Sequence, residues 1–329
     1  MVKRLLLVIG LFTLAFLVWY IGPAEIYRAV HRLGPVALLA ILAPSLLMYL
    51  VEGYGWKITL AGSKQVPFRR LLMIRMAGEV VNMTTPTAYV GGEPLKAYLL
   101  QRDGVPVVEG LASVVIAKTT MTIAQVVFII VGIAAGLWVL GPTGSPGQVV
   151  TGALLSVGLL LFGTAAFVLV QRRGLFTWTL ELIRRLGWRF EFLEHRAEQL
   201  RSLDRTILNF YTERRTMFYV STGLYLLGWL AEAIEVYVII YCLGGAADIL
   251  SAVSIGALSV LIKGGTFFIP GSLGAQDAGN VLLLHAFGYS EVIGVAFALL
   301  RRFRELVWIS VGLLCLALIG KPGGSTNDT

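Results

Sequence analysis

The fold class follows from residues 107–140, which read VVEGLASVVIAKTTMTIAQVVFIIVGIAAGLWVL. This run carries only two charges, Glu109 and Lys118, and is longer than the about 20 apolar residues that a helix needs to cross a bilayer. Other runs of sufficient length cover residues 5–22, 36–61, 148–170, 217–243 and 291–319. The sequence therefore predicts an all-α polytopic membrane protein with about six full spans.

The composition excludes the other common protein classes. Hydrophobic residues make up 57% of the 329 positions and charged residues only 14%, whereas soluble domains have about 25% charged residues. Disorder and a disulfide scaffold are also excluded, since the chain is rich in apolar residues and has only two cysteines, each within an apolar run. The net charge of +8 resides mainly between the spans, so we expect contact with anionic lipid head groups and no nucleic-acid partner.

The positive charges between spans predict the orientation. Segment 171–215 is rich in arginine, whereas the loop 141–148 contains no Lys or Arg. Cytoplasmic loops carry the excess of Lys and Arg, so segment 171–215 is expected inside, with both termini in the cytoplasm. Arg28 and Arg32 fall on the outer side and are a minor exception. The run 5–22 is interpreted as a signal anchor, because it is too long for a cleaved signal and lacks a cleavage site.

The domain organisation is expected to be one transmembrane domain, residues 1–320, followed by a disordered polar tail, 321–329. Within segment 171–215, apolar residues recur at helical spacing and predict an amphipathic cytoplasmic linker. A surface helix lying on anionic lipid is favoured over a helix that docks a partner. The residues that carry this pattern are Trp178, Leu182, Leu186, Phe190 and Leu193.

Two interrupted apolar segments indicate an internal repeat. Pro86 falls on Pro270, and the same offset of 184 positions places Glu93 on Asp277 and Lys118 on Arg302. The repeats extend over about 36–140 and 217–319. Because their last spans run in opposite directions across the membrane, the two units form an inverted repeat, an arrangement that recurs in transporters.

The proline and glycine residues of each repeat predict a break in the helix. Pro interrupts the helical hydrogen bonds, and the glycines that follow permit a tight reversal. Re-entrant helical hairpins are therefore expected at 70–102 and 250–288, although two full spans in each segment would give the same orientation. The predicted hinge residues are Pro86, Gly91, Gly92, Pro270, Gly271 and Gly274.

Ionisable residues inside apolar segments predict a polar cavity, since an isolated charge in a bilayer is costly. The repeat suggests two acid–base pairs, Glu93 with Lys118 and Asp277 with Arg302. The plainer alternative is that each pair only holds its hairpin against the following helix. We expect Arg301, Arg302, Arg304 and Lys263 to bind a phosphate, with one of the three arginines turned outward. The predicted substrate-binding residues are Glu79, Asn82, Glu93, Lys96, Lys118, Lys263, Gln276, Asp277, Asn280, Arg301, Arg302, Arg304 and Glu305.

The uncharged polar residues near the breaks have two interpretations. Asn82, Gln276 and Asn280 either contact ligand or replace backbone hydrogen bonds lost at the breaks. No nucleotide-binding loop, nucleophile elbow or metal-ligand cluster occurs in the sequence, so we expect no cofactor, no metal and no enzymatic activity.

The sequence resembles the lysylphosphatidylglycerol synthase transmembrane, or flippase-like, family of the UPF0104 type, and most closely its hopanoid-biosynthesis-associated members. The resemblance covers roughly residues 35–320. It rests on the stretches GEVVNMTTPTAYVGGEPLKAYLL (78–100), VEGLASVVIAK (108–118), FFIPGSLGAQDAGNVLLL (267–284) and ALLRRFRELVW (298–308).

This resemblance implies a lipid flippase fold in a bacterial inner membrane. It also implies functional roles for Asn82, Glu93, Lys96, Gln276, Asp277, Arg301, Arg302 and Glu305. The synthase activity of two-domain relatives is not expected here, because their soluble aminoacyltransferase domain does not follow. The leading hypothesis is a transporter of a phospholipid, a polyprenyl-linked lipid or a hopanoid-type lipid. The alternatives are a membrane enzyme acting on a lipid head group and a scaffold for lipid-biosynthesis proteins. The lipid, the direction and energy source of transport, and the oligomeric state stay open.

Overall fold

The computed structural model describes residues 22–60, 65–85, 91–141, 146–185, 196–266 and 274–319, with isolated positions from 8 to 19 and at 269 and 272. Within these ranges the chain forms helices and no β-strand. The prediction of an all-α polytopic membrane protein is confirmed. The helices are α1 (Pro23–Thr59), α2 (Phe68–Thr84), α3 (Gly92–Arg102), α4 (Val107–Leu140), α5 (Pro146–Arg172), α6 (Leu175–Arg185), α7 (Ala197–Glu213), α8 (Arg215–Cys242), α9 (Ile249–Gly265), α10 (Ala275–Ala286) and α11 (Glu291–Leu318).

Four of the described helices are long and apolar enough to cross a membrane. They coincide with four predicted spans and comprise Leu33–Thr59 of α1, all of α4, Leu155–Arg172 of α5 and all of α8. Helix α11 has 28 residues and is therefore about 42 Å long, but it carries several charges near its middle. Of the remaining predicted span, 5–22, the structure describes positions 8, 11, 12, 15, 16, 18, 19 and 22, and all of these except 22 are helical.

The order of the helices repeats along the chain. Helices α1 to α4 and α8 to α11 each consist of a long helix, a helix of 17 residues, a helix of 11 or 12 residues, and a second long helix. The short helices α3 and α10 are only about 17 Å long, which is insufficient to cross a hydrocarbon core of about 30 Å. Each pair of shorter helices forms a hairpin within the protein, α2 with α3 and α9 with α10.

The two sets of helices exchange contacts. Helix α2 of the first set packs against α11 of the second, and α9 of the second set packs against α4 of the first. The leading helices α1 and α8 also pack against each other. Small residues permit the close α4–α9 approach, where Gly132 and Gly136 face Ala257 and Ser254. Through this exchange, the 17-residue helix of each hairpin packs against the last long helix of the other set.

The predicted breaks are present on both hairpins. Helix α2 ends at Thr84, two residues before Pro86, and α9 ends at Gly265, upstream of Pro270. The glycines Gly91, Gly92 and Gly274 lie at the start of the following helices. Gly274 has φ of 72°, a left-handed conformation that favours glycine. The remaining hinge residues, Pro86, Pro270 and Gly271, lie outside the described residues.

The α2–α3 hairpin is closed by a backbone contact at Gly92. A Cβ atom at this position would lie 1.9 Å from the carbonyl oxygen of Gly78, so only glycine fits without movement of a helix. The Gly92 N–H donates to Oδ1 of Asn82 at 2.7 Å. Asn82 therefore binds a backbone N–H group at the break. This contact agrees with the interpretation that Asn82 replaces a backbone hydrogen bond lost there.

The linker 171–215 contains two helices, α6 and α7. Asp204 of α7 accepts hydrogen bonds from the backbone N–H of Phe176 at 3.1 Å and of Thr177 at 2.8 Å, which joins the start of α6 to α7. Helix α7 buries its apolar face, including Ile207 and Phe210, against α4. The exposed apolar side chains of α6 are Trp178 and Leu182. The residues Leu186, Phe190 and Leu193 and the tail 321–329 lie outside the described residues.

Candidate functional site

A cavity of about 210 Å³, lined by both charged and apolar side chains, lies between the helices of the bundle. Its walls come from α1, α2, α4 and α8 to α11, and hence from both sets of helices. The volume is sufficient for several water molecules or a compact polar head group. The charged side chains that line the cavity are Glu52, Arg75, Glu79, Lys118, Glu232, Lys263, Arg301, Arg304 and Glu305.

The two predicted acid–base pairs are both present. Arg302 Nε lies 2.8 Å from Asp277 Oδ1, and Lys118 Nζ lies 4.0 Å from Glu93 Oε1. Each pair joins the short helix of a hairpin to the long helix that follows it, α10 to α11 and α3 to α4. The first pair is tight and buried at the arginine, whereas the Lys118 side chain is 38% exposed. Lys118 therefore retains freedom to contact a ligand.

Further polar contacts hold each pair in place. Lys96 Nζ lies 2.9 Å from Glu93 Oε1, and Asn82 Nδ2 donates to the same oxygen at 3.2 Å. In the second hairpin, Arg302 Nη1 donates to Glu305 Oε2 at 2.6 Å, and Lys263 Nζ lies 3.6 Å from Glu305 Oε1. These contacts form two separate clusters, each of which joins one hairpin to the long helix that follows it.

Arg301 and Arg304 form a third cluster with α8. Arg301 pairs with Glu232, and Arg304 Nη1 donates to Glu235 Oε2 at 2.7 Å and to Glu232 Oε2 at 3.4 Å. The acids lie three residues apart on one helix and the arginines three residues apart on the other, so the two rows face each other. The expectation that one of the three arginines turns outward is wrong, because the acids on α8 and α10 bind all three inside the bundle.

Sequence reasoning did not assign the pair between Arg75 of α2 and Glu52 of α1 to the site. The two side chains form an ion pair, both are buried, and both line the cavity. The Glu232–Glu235 row on α8 was missed in the same way. The available signal was a charge within an apolar run, but it does not indicate which distant helix carries the partner.

The structure places most of the predicted site residues around one cavity. Glu79, Lys118, Lys263, Gln276, Arg301, Arg304 and Glu305 line it. Glu93 and Lys96 line a small adjoining pocket that shares Arg75, Glu79 and Lys118 with the main cavity. Three other predicted residues, Asn82, Asn280 and Arg302, contact lining residues from behind, and the last, Asp277, binds Arg302.

The side chains that surround the charges are suited to a ligand with an apolar part. Met48, Met83, Trp229 and Trp308 also line the cavity. Trp308 is fixed by a hydrogen bond of 2.9 Å from Nε1 to Ser45 Oγ. Methionine side chains adapt to irregular apolar surfaces, so the wall offers contacts for both a polar group and an alkyl chain. Within the described part of the chain, no group of three His, Cys, Asp or Glu residues is arranged to hold a metal ion.

Comparison with known proteins shows similarity along nearly the whole chain. Residues 5–312 match the family described as "Lysylphosphatidylglycerol synthase TM region". The chain is 27% identical to a UPF0104 membrane protein of Methanothermobacter thermautotrophicus, over 98% of this chain and 96% of the relative. It is 23% identical to a UPF0104 membrane protein of Pyrococcus horikoshii, over 94% of each chain.

Proposed function

Because this chain belongs to the lysylphosphatidylglycerol synthase TM region family of membrane proteins, we propose that it transports a polar-headed lipid across the bilayer as a flippase. The observation that carries the proposal is the central cavity, which nine charged side chains line within a helical membrane protein. The head group enters this cavity while the acyl chains stay in the bilayer. The candidate lipids are phospholipids, polyprenyl-linked lipids and hopanoid-type lipids.

The arrangement of charges favours a functional cavity over a purely structural one. Removing an ion pair from water costs several kcal/mol per ion, and well-packed apolar residues often stabilise a core equally well or better. The chain nevertheless buries Glu52, Arg75, Glu232, Arg301 and Arg304 around a space that is not filled by side chains. Ionisable groups that face a cavity in a membrane protein typically mark the path of a substrate or an ion.

The exchange of contacts between the two sets of helices supports the inverted repeat. Two copies related by a two-fold axis would make the reciprocal contacts α2–α11 and α9–α4 that are observed. In our proposal each re-entrant hairpin closes the cavity from one side of the membrane. Movement of one hairpin at a time would expose the head group alternately to the two leaflets. We further propose an inner-membrane location with both termini in the cytoplasm.

The proposal requires no chemical change in the lipid. Transport exchanges the contacts of the head group with water for contacts with the cavity wall, and the same lipid leaves on the other side. We therefore propose that the chain is not an enzyme and that anionic membrane lipids are its partners, with lipid-biosynthesis proteins as further partners. A membrane enzyme would instead release a lipid of altered mass.

Neutralisation of the Asp277–Arg302 pair tests the proposal. The Asp277→Asn variant keeps the size of the side chain but removes the charge that binds Arg302, so movement of fluorescent lipid in reconstituted vesicles should fall at least tenfold. Glu198→Gln is the matched control, since Glu198 forms an exposed ion pair with Arg201 at 3.5 Å. Unfolding temperature is measured for both variants, and lipid mass is measured before and after incubation.

The outcomes separate the three hypotheses. Loss of lipid movement with an unchanged unfolding temperature supports transport. Undiminished movement in Asp277→Asn contradicts it, and a change in lipid mass indicates an enzyme. If lipid movement falls only in step with a lower unfolding temperature, the result would indicate a scaffold.

A further inference from the structure

Helix α6 exposes an apolar stripe although it lies outside the transmembrane spans. Trp178 is 48% exposed and Leu182 is 39% exposed. The two residues are four positions apart and therefore lie on the same side of the helix. On the other side, Leu180 is buried and Phe176 packs against the apolar cluster of α7 and α4. The contacts within the protein therefore use only one of the two apolar sides of α6.

Exposed arginines lie at both ends of α6. Arg185 is the last residue of the helix, and Arg172 and Arg173 come directly before the turn that precedes it. All three are exposed, and none of them forms an ion pair with another described residue. The only acid between residues 171 and 185 is Glu181. Positive charge beside an exposed apolar stripe is typical of an amphipathic helix that binds anionic lipid.

The position of α6 favours a membrane surface as its binding partner. The apolar span of α5 ends at Arg172, and a turn at Gly174, with φ of 91°, separates it from α6. Helix α6 therefore begins at the boundary of the bilayer. Its 11 residues are only about 17 Å long, too short to cross a hydrocarbon core of about 30 Å. Tryptophan is enriched at the interface between lipid and water, and this is the environment in which Trp178 lies when α6 rests on the membrane.

A buried carboxylate fixes α6 to α7. Asp204 Oδ2 accepts hydrogen bonds from Thr177 Oγ1 at 2.6 Å and from the Thr177 N–H at 2.8 Å, and Asp204 Oδ1 accepts from the Phe176 N–H at 3.1 Å. Asp204 is only 8% exposed, so water competes little for these charge-assisted bonds. Helices α6 and α7 are therefore expected to move together.

A chain of buried polar side chains joins α7 to the helix that carries Lys118. The Tyr211 hydroxyl of α7 donates to Gln171 Oε1 at 2.9 Å, and Gln171 Nε2 donates to Thr119 Oγ1 at 2.9 Å. Gln171 is next to Arg172 at the end of α5, and Thr119 of α4 is next to Lys118, which lines the cavity. Direct contacts thus connect α6 and the end of α5 to the wall of the cavity.

We propose that Arg172, Arg173, Trp178, Leu182 and Arg185 form a second lipid-binding surface, outside the cavity, which binds anionic phospholipids of the adjacent leaflet and thereby speeds transport. The two apolar side chains insert among the acyl chains, and the arginines bind the phosphates of the head groups. With α6 held on the membrane, α7 keeps α4 in the position that transport requires. The effect on rate rests on the proposed transport function, whereas the binding of α6 to lipid does not.

Amide hydrogen exchange in lipid nanodiscs tests the binding. The full-length protein is placed in discs of phosphatidylcholine alone and in discs that also contain about 30% phosphatidylglycerol, and mass spectrometry follows the amides of residues 178–185. Each arginine near an anionic surface strengthens binding about fivefold. These amides should therefore exchange about tenfold or more slowly in the discs with phosphatidylglycerol. Salt at about 0.5 M should remove most of the difference, because it screens the attraction.

Charge variants locate the binding on this surface. A triple variant with Arg172→Gln, Arg173→Gln and Arg185→Gln should lose the effect of phosphatidylglycerol on exchange. Glu181→Gln removes the only negative charge of α6 and should increase the effect. Arg201→Gln is the matched control, because Arg201 of α7 is already in an exposed ion pair, and it should leave the exchange of α6 unchanged. All of these side chains are exposed, so the variants should keep the fold.

Lipid movement in reconstituted vesicles tests the effect on transport. One fluorescent lipid is followed in phosphatidylcholine vesicles with and without about 30% phosphatidylglycerol. The unaltered protein should move this lipid about fivefold faster when phosphatidylglycerol is present. The triple variant should move it at the slower rate in both kinds of vesicle, since the substitutions lie outside the cavity.

Each outcome supports or overturns the lipid-binding surface. Slower exchange with phosphatidylglycerol that disappears in the triple variant, together with faster lipid movement, supports it. Equal exchange in the two kinds of disc, or an effect that survives in the triple variant, overturns it. Slower exchange only after addition of cytosolic protein also overturns it and makes α6 a protein-docking helix. Equal rates of movement in the two kinds of vesicle reject the effect on transport. A lack of lipid movement in every vesicle contradicts the transport function but leaves the binding of α6 standing.

Discussion

Replacement of Gly92 by alanine should open the α2–α3 hairpin. The new Cβ atom would lie 1.9 Å from the carbonyl oxygen of Gly78, while real Cβ atoms essentially never approach a heavy atom closer than 3.0 Å. The two helices must therefore separate by at least 1.1 Å at their crossing. The obstacle is backbone, so no side-chain rotation relieves it.

The separation has two energetic consequences. Overpacking of this kind costs about 1–3 kcal/mol, and weakening of the 2.7 Å hydrogen bond from Gly92 N–H to Asn82 adds about 1 kcal/mol. The total of about 2–4 kcal/mol should lower the unfolding temperature of a chain of 329 residues by roughly 3–6 °C. The same displacement shifts Glu93, the next residue, relative to Lys118, and their separation of 4.0 Å already lies at the limit for an ion pair. Lipid movement should therefore decrease as well.

Thermal unfolding of the purified protein and lipid movement in vesicles measure the two effects. Gly158→Ala is the matched control, because a Cβ atom at Gly158 of α5 would meet nothing within 4 Å. Alanine is the better helix former, so this control should keep or slightly raise the unfolding temperature. If Gly92→Ala unfolds and transports lipid like the unaltered protein, the close crossing of α2 and α3 and its role in placing Glu93 are wrong.

Three further perturbations test other parts of the structure. Asp248→Ala should destabilise α9 by about 1 kcal/mol in thermal unfolding, because Asp248 caps the helix by accepting from Ser251 N–H at 2.9 Å. These bonds lower the pKa of Asp248, so the stabilisation is complete above the ordinary carboxyl pKa and is lost as the pH falls through the lowered value. Glu52→Leu should cost about 3–5 kcal/mol by leaving Arg75 unpaired, and the double variant with Arg75→Leu should cost less than the two single variants combined. Asp204→Ala should speed amide hydrogen exchange at residues 176–177 about tenfold, measured by mass spectrometry.

The controls for these perturbations keep the shape of each side chain or use exposed sites. Asp248→Asn retains a capping oxygen and should recover most of the stability at every pH. Glu198→Gln breaks an exposed ion pair and should change stability by less than about 0.5 kcal/mol. Strictly additive losses for Glu52 and Arg75, or unchanged exchange in Asp204→Ala, would show that the corresponding contact does not form.

The sequence alone was sufficient for the helical class and for the bounds of most spans. The predicted span 107–140 coincides with α4, and 217–243 differs from α8 by only one or two residues. These features depend on local requirements, since a span needs a minimum apolar length and a proline interrupts the helix in which it lies. The internal repeat also allowed two ion pairs to be predicted, Glu93 with Lys118 and Asp277 with Arg302, because equivalent positions in two copies are expected to make equivalent contacts.

The tertiary structure decided which helices face each other and where the cavity lies. Arg75 reaches Glu52, and Arg301 reaches Glu232, through contacts between helices whose order around the bundle no apolar pattern encodes. Every span is apolar, so hydropathy cannot indicate its neighbours. The side-by-side arrangement depends instead on the close fit of small residues and on which buried charges find partners. For the same reason, the sequence alone does not indicate that the indole N–H of Trp229 and two nitrogen atoms of Arg301 are buried without a hydrogen-bond partner among the described residues.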